Sequence, residues 1–194
     1  MAGQVFLFHK PKSVVVTTSD ELGRKSVYDL LPAWVRQEGW VPVGRLDRDT
    51  KGLLLFVKDH ALVEELGHPG RFEKEYEVWV RGHVQPHHLE EISAGIQSPV
   101  GTLTCERISI EGYVGPKTRL YIVLKEGKNR QIRRIFGALH DDVFGTPLKV
   151  LDLKRIRFGP VSLDVPSGEW RMLTQEETEN LSNSPEGGPP WPPI

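Results

Sequence analysis

The sequence predicts an α+β domain built on a mostly antiparallel or mixed sheet, with flanking helices and two lobes around a central cleft. Two observations support this fold class. Segments with the alternation or apolar composition of strands outnumber helical segments, and no regular strand-helix-strand repeat occurs. A chain of 194 residues is long enough to bury a substantial core.

The first third of the chain contains apolar runs that proline and glycine interrupt. Residues 4–10 and 14–17 are predicted as strands separated by a proline corner, and 26–31 as a short helix capped by Ser26. The apolar residues 53–57 predict a buried strand. Asp59 is a suitable N-cap for a helix to about residue 66, where Gly67 ends it.

The rest of the chain continues the mixture of strands and helices. Residues 73–81 alternate charged with apolar or aromatic side chains, which predicts a half-buried strand. The other predicted elements are helices at 86–94 and 129–140 and strands at 103–110, 119–125, 149–158 and 161–163. Asn129 is expected to cap the second of these helices.

The domain organisation follows from the glycine and proline punctuation. Residues 67–70, Gly-His-Pro-Gly, suggest a boundary between an amino-terminal lobe at 1–67 and a carboxyl-terminal lobe at 68–181. Residues 182–194 are rich in proline, glycine and serine, and a disordered tail is expected there.

Charge and cysteine content limit the classes of function. The single cysteine excludes an intrachain disulfide, and no stretch has the length and hydropathy of a membrane span, so a cytoplasmic protein is expected. The net charge is only −1, but residues 115–157 contain 11 Lys/Arg against 4 Asp/Glu. Such a basic segment fits a phosphate-binding surface or, equally, an ordinary solvated face.

The segment 44–57, Gly-Arg-Leu-Asp-Arg-Asp-Thr-Lys-Gly-Leu-Leu-Leu-Phe-Val, is the best candidate for chemistry. It places Asp47 in a turn bounded by Gly44 and Gly52, directly before the buried strand. Loop aspartates usually cap backbone N–H groups, so the pattern alone does not establish an active site.

These residues resemble the active-site signature of pseudouridine synthases of the RsuA-like branch. The resemblance implies that Asp47 is the nucleophile. Three further segments match the family, and together they cover most of the chain. Phe8-His9-Lys10-Pro11 resembles its opening motif, although Ser13 replaces the usual glycine, and Lys74-Glu75-Tyr76-Glu77-Val78 resembles the strand whose tyrosine lies against the base. Glu126 to Arg134 resembles the element whose arginine, here Arg133, pairs with the aspartate.

The implied roles have a physical basis. An arginine next to a carboxylate favours the ionised form that a nucleophile needs. An aromatic ring can stack on a base that has been flipped out of structured RNA. Candidate RNA contacts, mostly to phosphates, are Lys10, Arg45, Lys74, Asn129, Arg130 and Arg134.

The residues by themselves leave two alternative functions open. Asp47 and Asp49 also fit the Asp-x-Asp-x-Thr loop of magnesium-dependent haloacid-dehalogenase-type phosphohydrolases, with Asp141 and Asp142 as further carboxylates. That class places its loop after, not before, the apolar strand of a parallel sheet. A non-enzymatic RNA-binding module is the second alternative.

The resemblance implies a monomeric, cofactor-free isomerase acting on ribosomal RNA. The start of the chain close to its first motif suggests the shorter, RluE-type branch, and hence large-subunit rRNA. No metal site is expected, because Pro86 separates His83 and His87 and disfavours a helical ligand pair.

Overall fold

The computed structural model describes residues 5–17, 19 and 22–183. These residues form two compact units. The first contains the described residues up to Phe72 and those from Arg155 onward, and the second contains Glu73–Lys154. Residues 155–181, assigned above to the carboxyl-terminal lobe, therefore cluster with the start of the chain. The two predicted lobes stay a prediction.

The first unit is built on antiparallel strands. β1 (Val5–Lys10) pairs along its whole length with β3 (Lys51–Val57), from Val5 opposite Val57 to Lys10 opposite Gly52. The short β2 (Val41–Pro42) lies against β3, and β9 (Trp170–Met172) lies against the other edge of β1. β1 and β3 are thus paired although about 40 residues separate them in the chain.

Both faces of this sheet are covered, which explains why β1 and β3 are continuous apolar runs rather than alternating ones. One face buries Val5, Leu7, Leu53 and Leu55 in a core with Leu62 and other aliphatic residues. The opposite face carries Phe6 and Phe56, whose stacked rings lie 4.8 Å apart within an aromatic cluster. The other members of this cluster are Phe8, Tyr28, Trp34, Trp40 and Trp170.

The described part of the first unit includes the helices α1 (Ala33–Gln37), α2 (His60–Gly67) and α5 (Gln175–Asn183). The predicted cap of α2 is confirmed, because Asp59 Oδ1 accepts from the Ala61 N–H at 2.9 Å. α5 includes the first two residues of the predicted tail. The rest of that tail, residues 184–194, lies outside the described residues.

The second unit contains three antiparallel strands that are neighbours in the sheet, in the order β5 (Arg107–Val114), β6 (Lys117–Leu124), β4 (Lys74–Arg81). α3 (Pro86–Ala94) and α4 (Gln131–Gly137) follow β4 and β6 in sequence. β7 (Lys149–Phe158) begins in this unit and ends in the first, where β8 (Val161–Ser162) pairs with it.

The predicted α+β class with mostly antiparallel strands is confirmed, while several boundaries differ. Residues 14–17 make only an isolated bridge, Val15 with Ser26, instead of a strand. The helix expected at 26–31 is a single 3₁₀ turn at Val27–Asp29. The strand expected at 103–110 starts four residues later, and α1, β9 and α5 had no clear signal in the sequence. Within the part of the chain described, no helix is long and apolar enough to cross a bilayer.

Candidate active site

The loop that carries Asp47 is a tight turn fixed by backbone hydrogen bonds. The Thr50 N–H donates to the Asp47 carbonyl at 3.0 Å, and the Ser13 N–H donates to the Arg48 carbonyl at 2.8 Å. Gly44, at the start of the loop, has a φ of +68°, which glycine adopts without strain. Leu46 and Thr50 are buried on either side of the half-buried Asp47. The loop therefore holds the carboxylate on a rigid support.

Ser13 occupies the position where the family motif has glycine. Its φ is +66°, a left-handed conformation that costs a residue with a Cβ roughly 1 kcal/mol. The turn geometry that glycine favours is therefore kept without the glycine, because the Ser13 N–H is tied to the Asp47 loop.

Lys10 lies behind this loop instead of on the surface. Its side chain is fully buried, and Nζ donates to the carbonyl oxygens of Pro11 at 3.0 Å, Arg48 at 3.5 Å and Thr50 at 2.7 Å. Burial lowers the pKa of Lys10 to about 8, although the carboxylates of Asp49 and Asp47 act in the opposite direction. The prediction that Lys10 contacts RNA is wrong, since no ligand can reach a fully buried ammonium. Its role is to fix the loop.

An open groove of about 590 Å³ lies beside Asp47 within the first unit. Its lining combines apolar side chains with hydroxyls and guanidinium groups: Val15, Val16, Thr17, Ser19, Leu22, Arg24, Arg45, Leu46, Asp47 and Arg48. Arg45, predicted as an RNA contact, is exposed in this groove. Arg24 and Arg48 also line it and were missed by sequence analysis, since neither position stands out from an ordinary surface arginine.

Tyr76 lies on β4 in the second unit, opposite Ile122 of β6, and is 8% exposed. Val78 and Val80 share its face of the sheet and are fully buried. Lys74, two residues before Tyr76, is also buried, and its Nζ donates to the Lys125 carbonyl at 3.4 Å. The amine donates to the protein backbone here, and the predicted contact of Lys74 with phosphate stays a prediction.

Gln131 organises the loop that precedes Arg133, a role that sequence analysis did not assign. Its buried amide donates to the Thr104 carbonyl at 3.0 Å and to Glu126 Oε1 at 2.9 Å, while its oxygen accepts from the Lys128 N–H at 3.0 Å. The available signal was its place in the motif Glu-Gly-x-x-x-Gln-x-Arg. The amide forms three bonds to the protein, so residues 126–131 are held as a unit.

The arginines that follow this loop differ in exposure. Arg130 is exposed and has a φ of +51°, and this residue, not the predicted Asn129, is the N-cap of α4. Asn129 instead accepts bonds from Arg134 through its carbonyl and its side-chain oxygen. Arg133 is half-buried and donates to the Val150 carbonyl at 3.4 Å. Asn129, Arg130 and Arg134 stay predicted RNA contacts.

Asp47 belongs to the first unit, whereas Tyr76 and Arg133 belong to the second. The pairing of Asp47 with Arg133 therefore stays a prediction.

One group of side chains has the composition of a metal site. Donor atoms of His87, His88 and Asp142 lie within 4.8 Å of one another. However, His88 Nδ1 accepts from the Gln85 N–H at 2.9 Å, which places the proton on Nε2, where it is directed to the His140 carbonyl at 3.0 Å. His88 then has no lone pair for a metal, and the cluster retains two ligands, too few for a closed site.

The phosphohydrolase alternative assigns Asp141 to metal binding, but in the structure this carboxylate accepts backbone hydrogen bonds instead. Its oxygens accept backbone N–H groups of His83, Val143 and Phe144. Hydrogen bonds from these amides, the one from His83 first, lower the pKa of Asp141. The strand pairings given above are all antiparallel, unlike the parallel sheet of that class. The phosphohydrolase alternative is therefore not supported.

The antiparallel fold and the rigid aspartate loop agree with one known protein family. A family model described as RNA pseudouridylate synthase matches residues 4–138, and the chain belongs to this family.

Individual relatives give a more specific comparison than the family model does. The chain is 35% identical over 181 residues to a protein of Vibrio vulnificus named ribosomal large subunit pseudouridine synthase B, covering 92% of this chain and 54% of that protein. The protein of the same name from Escherichia coli K12 is 36% identical over 181 residues, covering 92% and 60%. The chain thus spans little more than half the length of these relatives.

A solved structure supports the same family. A crystal structure of a pseudouridylate synthase superimposes with a TM-score of 0.76 at 28% identity, covering 92% of this chain and 73% of that one. The RsuA-like family assignment is confirmed by these matches, while membership of the shorter RluE-type branch stays a prediction.

Proposed function

We propose that this protein isomerises a uridine of ribosomal RNA, in the large subunit, to pseudouridine. The observation that carries the proposal is the position of Asp47: a half-buried carboxylate on a hydrogen-bonded turn, at the edge of a groove lined by guanidinium groups. The names of the relatives support the choice of large-subunit rRNA as the substrate.

The reaction breaks the bond between N1 of uracil and C1′ of ribose and forms a bond from C5 of uracil to the same C1′. The base turns between these steps, the proton on C5 leaves to solvent, and N1 takes up a proton. Atoms and charge balance without an oxidant or a reductant. Asp47 initiates the reaction, either by attack on the sugar or by promoting elimination.

The other predicted residues act around this carboxylate. Tyr76 stacks on the detached uracil, which offsets part of the cost of removing the base from its RNA stack, roughly a few kcal/mol. Arg133 holds Asp47 ionised and oriented. Arg45, with Arg24 and Arg48, binds phosphates along the groove. No cofactor is needed, and we expect a monomer acting in the cytoplasm, where ribosomes are assembled.

The direct test compares Asp47→Asn with the wild-type protein on rRNA labelled with tritium at C5 of uridine. We expect tritium release and a new pseudouridine, mapped by mass spectrometry, with the wild type only. Because Asn has nearly the shape of Asp, the variant should fold and bind RNA while losing at least about 10³-fold in rate.

Asp59→Asn is the matched control, since Asn caps a helix as well as Asp does and Asp59 lies outside the groove. It should keep wild-type activity. Wild-type activity in Asp47→Asn would refute the assignment and leave the non-enzymatic RNA-binding module as the remaining alternative.

A further inference from the structure

Several hydrogen bonds fix the end of the β5–β6 hairpin to the loop after β4. Thr118 Oγ1 donates to the Gly82 carbonyl and accepts from the Val84 N–H, and the Tyr113 hydroxyl donates to the Val84 carbonyl at 2.8 Å. The Gly82 N–H donates to the Pro116 carbonyl, also at 2.8 Å. The hairpin end is therefore held rigidly against the loop after β4.

His83 connects the hairpin end to a second segment, the turn that begins at Asp141. The His83 ring nitrogen lies 2.9 Å from the Gly115 carbonyl, while the His83 N–H donates to Asp141 Oδ2 at 2.8 Å. The other carboxylate oxygen of Asp141 accepts from the N–H groups of Val143 and Phe144. One residue thus connects the hairpin end with the turn that begins at Asp141.

The rigid segments present apolar side chains to solvent. Val143 and Phe144 are 75% and 76% exposed, and Val114 at the hairpin end is 61% exposed. Val143 and Phe144 are adjacent in the chain, and neighbouring exposed apolar side chains are typical of contact surfaces.

Two exposed cations lie at the same end of the sheet. Arg81, the last residue of β4, is directly opposite Lys117, the first residue of β6. Like charges in this position repel each other. Within residues 5–17, 19 and 22–183, neither side chain has a carboxylate partner. The repulsion is relieved when an anion binds between them.

We propose that Arg81, Val114, Lys117, Val143 and Phe144, together called the hairpin platform, form a second RNA-binding surface. The class of ligand is an unpaired RNA segment: its phosphates lie between Arg81 and Lys117, and a base packs against Phe144 and the two valines. This proposal rests on the proposed function for its choice of a polyanion over an acidic protein. Unpaired cations next to exposed apolar side chains match the phosphates and bases of a single strand.

The platform is distinct from the position of the target base. Tyr76 and Arg81 are five residues apart on β4, about 17 Å at the usual rise of a strand. A nucleotide that contacts Tyr76 does not reach the platform. The platform therefore binds a different part of the substrate RNA and contributes to its selection.

The test uses the full chain with two probes, a fluorescein-labelled 20-nucleotide single-stranded RNA of mixed sequence and the same sequence as a duplex. Affinities are measured by fluorescence anisotropy over a range of salt concentrations. We expect Arg81→Ala/Lys117→Ala to raise the Kd for the single strand about tenfold. The salt slope should fall by about 1.4, since each phosphate that the protein no longer neutralises accounts for about 0.7.

Phe144→Ser separates base packing from charge. It should raise the Kd for the single strand at least about fivefold, leave the salt slope unchanged, and have little effect on the duplex, whose bases are already stacked. All the replaced side chains are exposed, so thermal melting should show an unchanged fold.

Arg36→Ala/Lys58→Ala is the matched control, because it removes the same net charge from exposed positions of the first unit. Equal loss of affinity in this control would show that only total charge matters and would overturn the proposal. Unchanged affinity in the platform variants would also overturn it and leave a protein as the occupant of the surface.

The experiments distinguish a failure of the proposed function from a failure of the RNA-binding surface. If the wild-type protein makes no pseudouridine but the platform variants lose RNA affinity, the isomerase assignment fails and the RNA-binding surface stands. If both hold, the platform variants should raise KM for rRNA with kcat unchanged, since they remove binding that is equal in the ground and transition states.

Discussion

At the scale of single residues, Lys10 shows how much a motif leaves undecided. A lysine next to the Asp47 loop, in a member of this family, suggests a phosphate contact. The structure instead directs its ammonium into the protein, where it binds the carbonyls of Arg48 and Thr50. Those carbonyls stabilise the buried charge. Lys10 therefore helps to hold the loop in shape instead of binding substrate.

Lys10→Met should destabilise the folded protein by about 2 kcal/mol at pH 7, because carbonyl groups in a buried place lose their donor. Denaturant unfolding measures the difference. Lys25→Met, at an exposed position, is the control and should change stability by less than about 0.5 kcal/mol. Equal effects of the two substitutions would contradict the structural role.

The stability of the wild type relative to Lys10→Met should rise with pH. The pKa of Lys10 is about 8 in the folded protein and 10.5 in the unfolded chain. Above pH 8 the unfolded chain therefore binds more protons at this residue, and the wild type gains stability relative to Lys10→Met up to about pH 10.5. A difference that shrinks between pH 8 and 10 would be inconsistent with a buried, desolvated ammonium.

At the scale of elements, the packing of β3 explains why its second residue, Gly52, is a glycine. Gly52 has a φ of +116°, and a Cβ at this position would collide with the backbone of Arg155, with its N atom at 2.5 Å. Arg155 in turn donates from Nε to the Leu53 carbonyl at 2.7 Å. Close approach of the two backbones, and not only the turn, requires glycine here.

Gly52→Ala should therefore cost about 3 kcal/mol or more, because a backbone cannot move aside as a side chain can. Gly39→Ala is the control: its φ of +76° makes alanine strained, but nothing lies within 4 Å of the added Cβ. We expect a loss of only about 1 kcal/mol there. Thermal melting of both variants checks the order, and a smaller loss at Gly52 would contradict the close approach.

At the scale of the whole molecule, the first unit is assembled from both ends of the described chain. β9 pairs with β1, and α5 contributes Leu181 to the core that contains Val5. Arg171, in β9, joins this strand to α5 through a two-point ion pair with Glu177, at 2.8 and 2.7 Å. The stability of this unit thus depends on residues that follow the second unit in sequence.

Glu177→Gln should lower stability at pH 7 by about 1 kcal/mol, the value of a partly exposed, well-oriented pair. Hydrogen bonding from Arg171 lowers the pKa of Glu177 below its ordinary 4.5, so the contribution is present above pH 4.5 and is lost as the pH falls through the folded-state value. The variant should lose less stability than the wild type on acidification. Urea unfolding at pH values from about 3.5 to 7 tests this, and parallel curves would exclude the linkage.

The sequence by itself determined the α+β class, the family, the cap of α2, the strand that holds Tyr76 and the identity of Asp47 as the candidate nucleophile. These follow from local periodicity, from capping chemistry and from motifs whose residues are close in the chain. Only the tertiary structure decided the direction of Lys10 and Lys74, the packing that requires glycine at position 52, the membership of residues 155–183 in the first unit, and the exposure of the platform. Burial and long-range backbone contacts set these features, and a one-dimensional pattern contains the residue types without the partners that each of them meets.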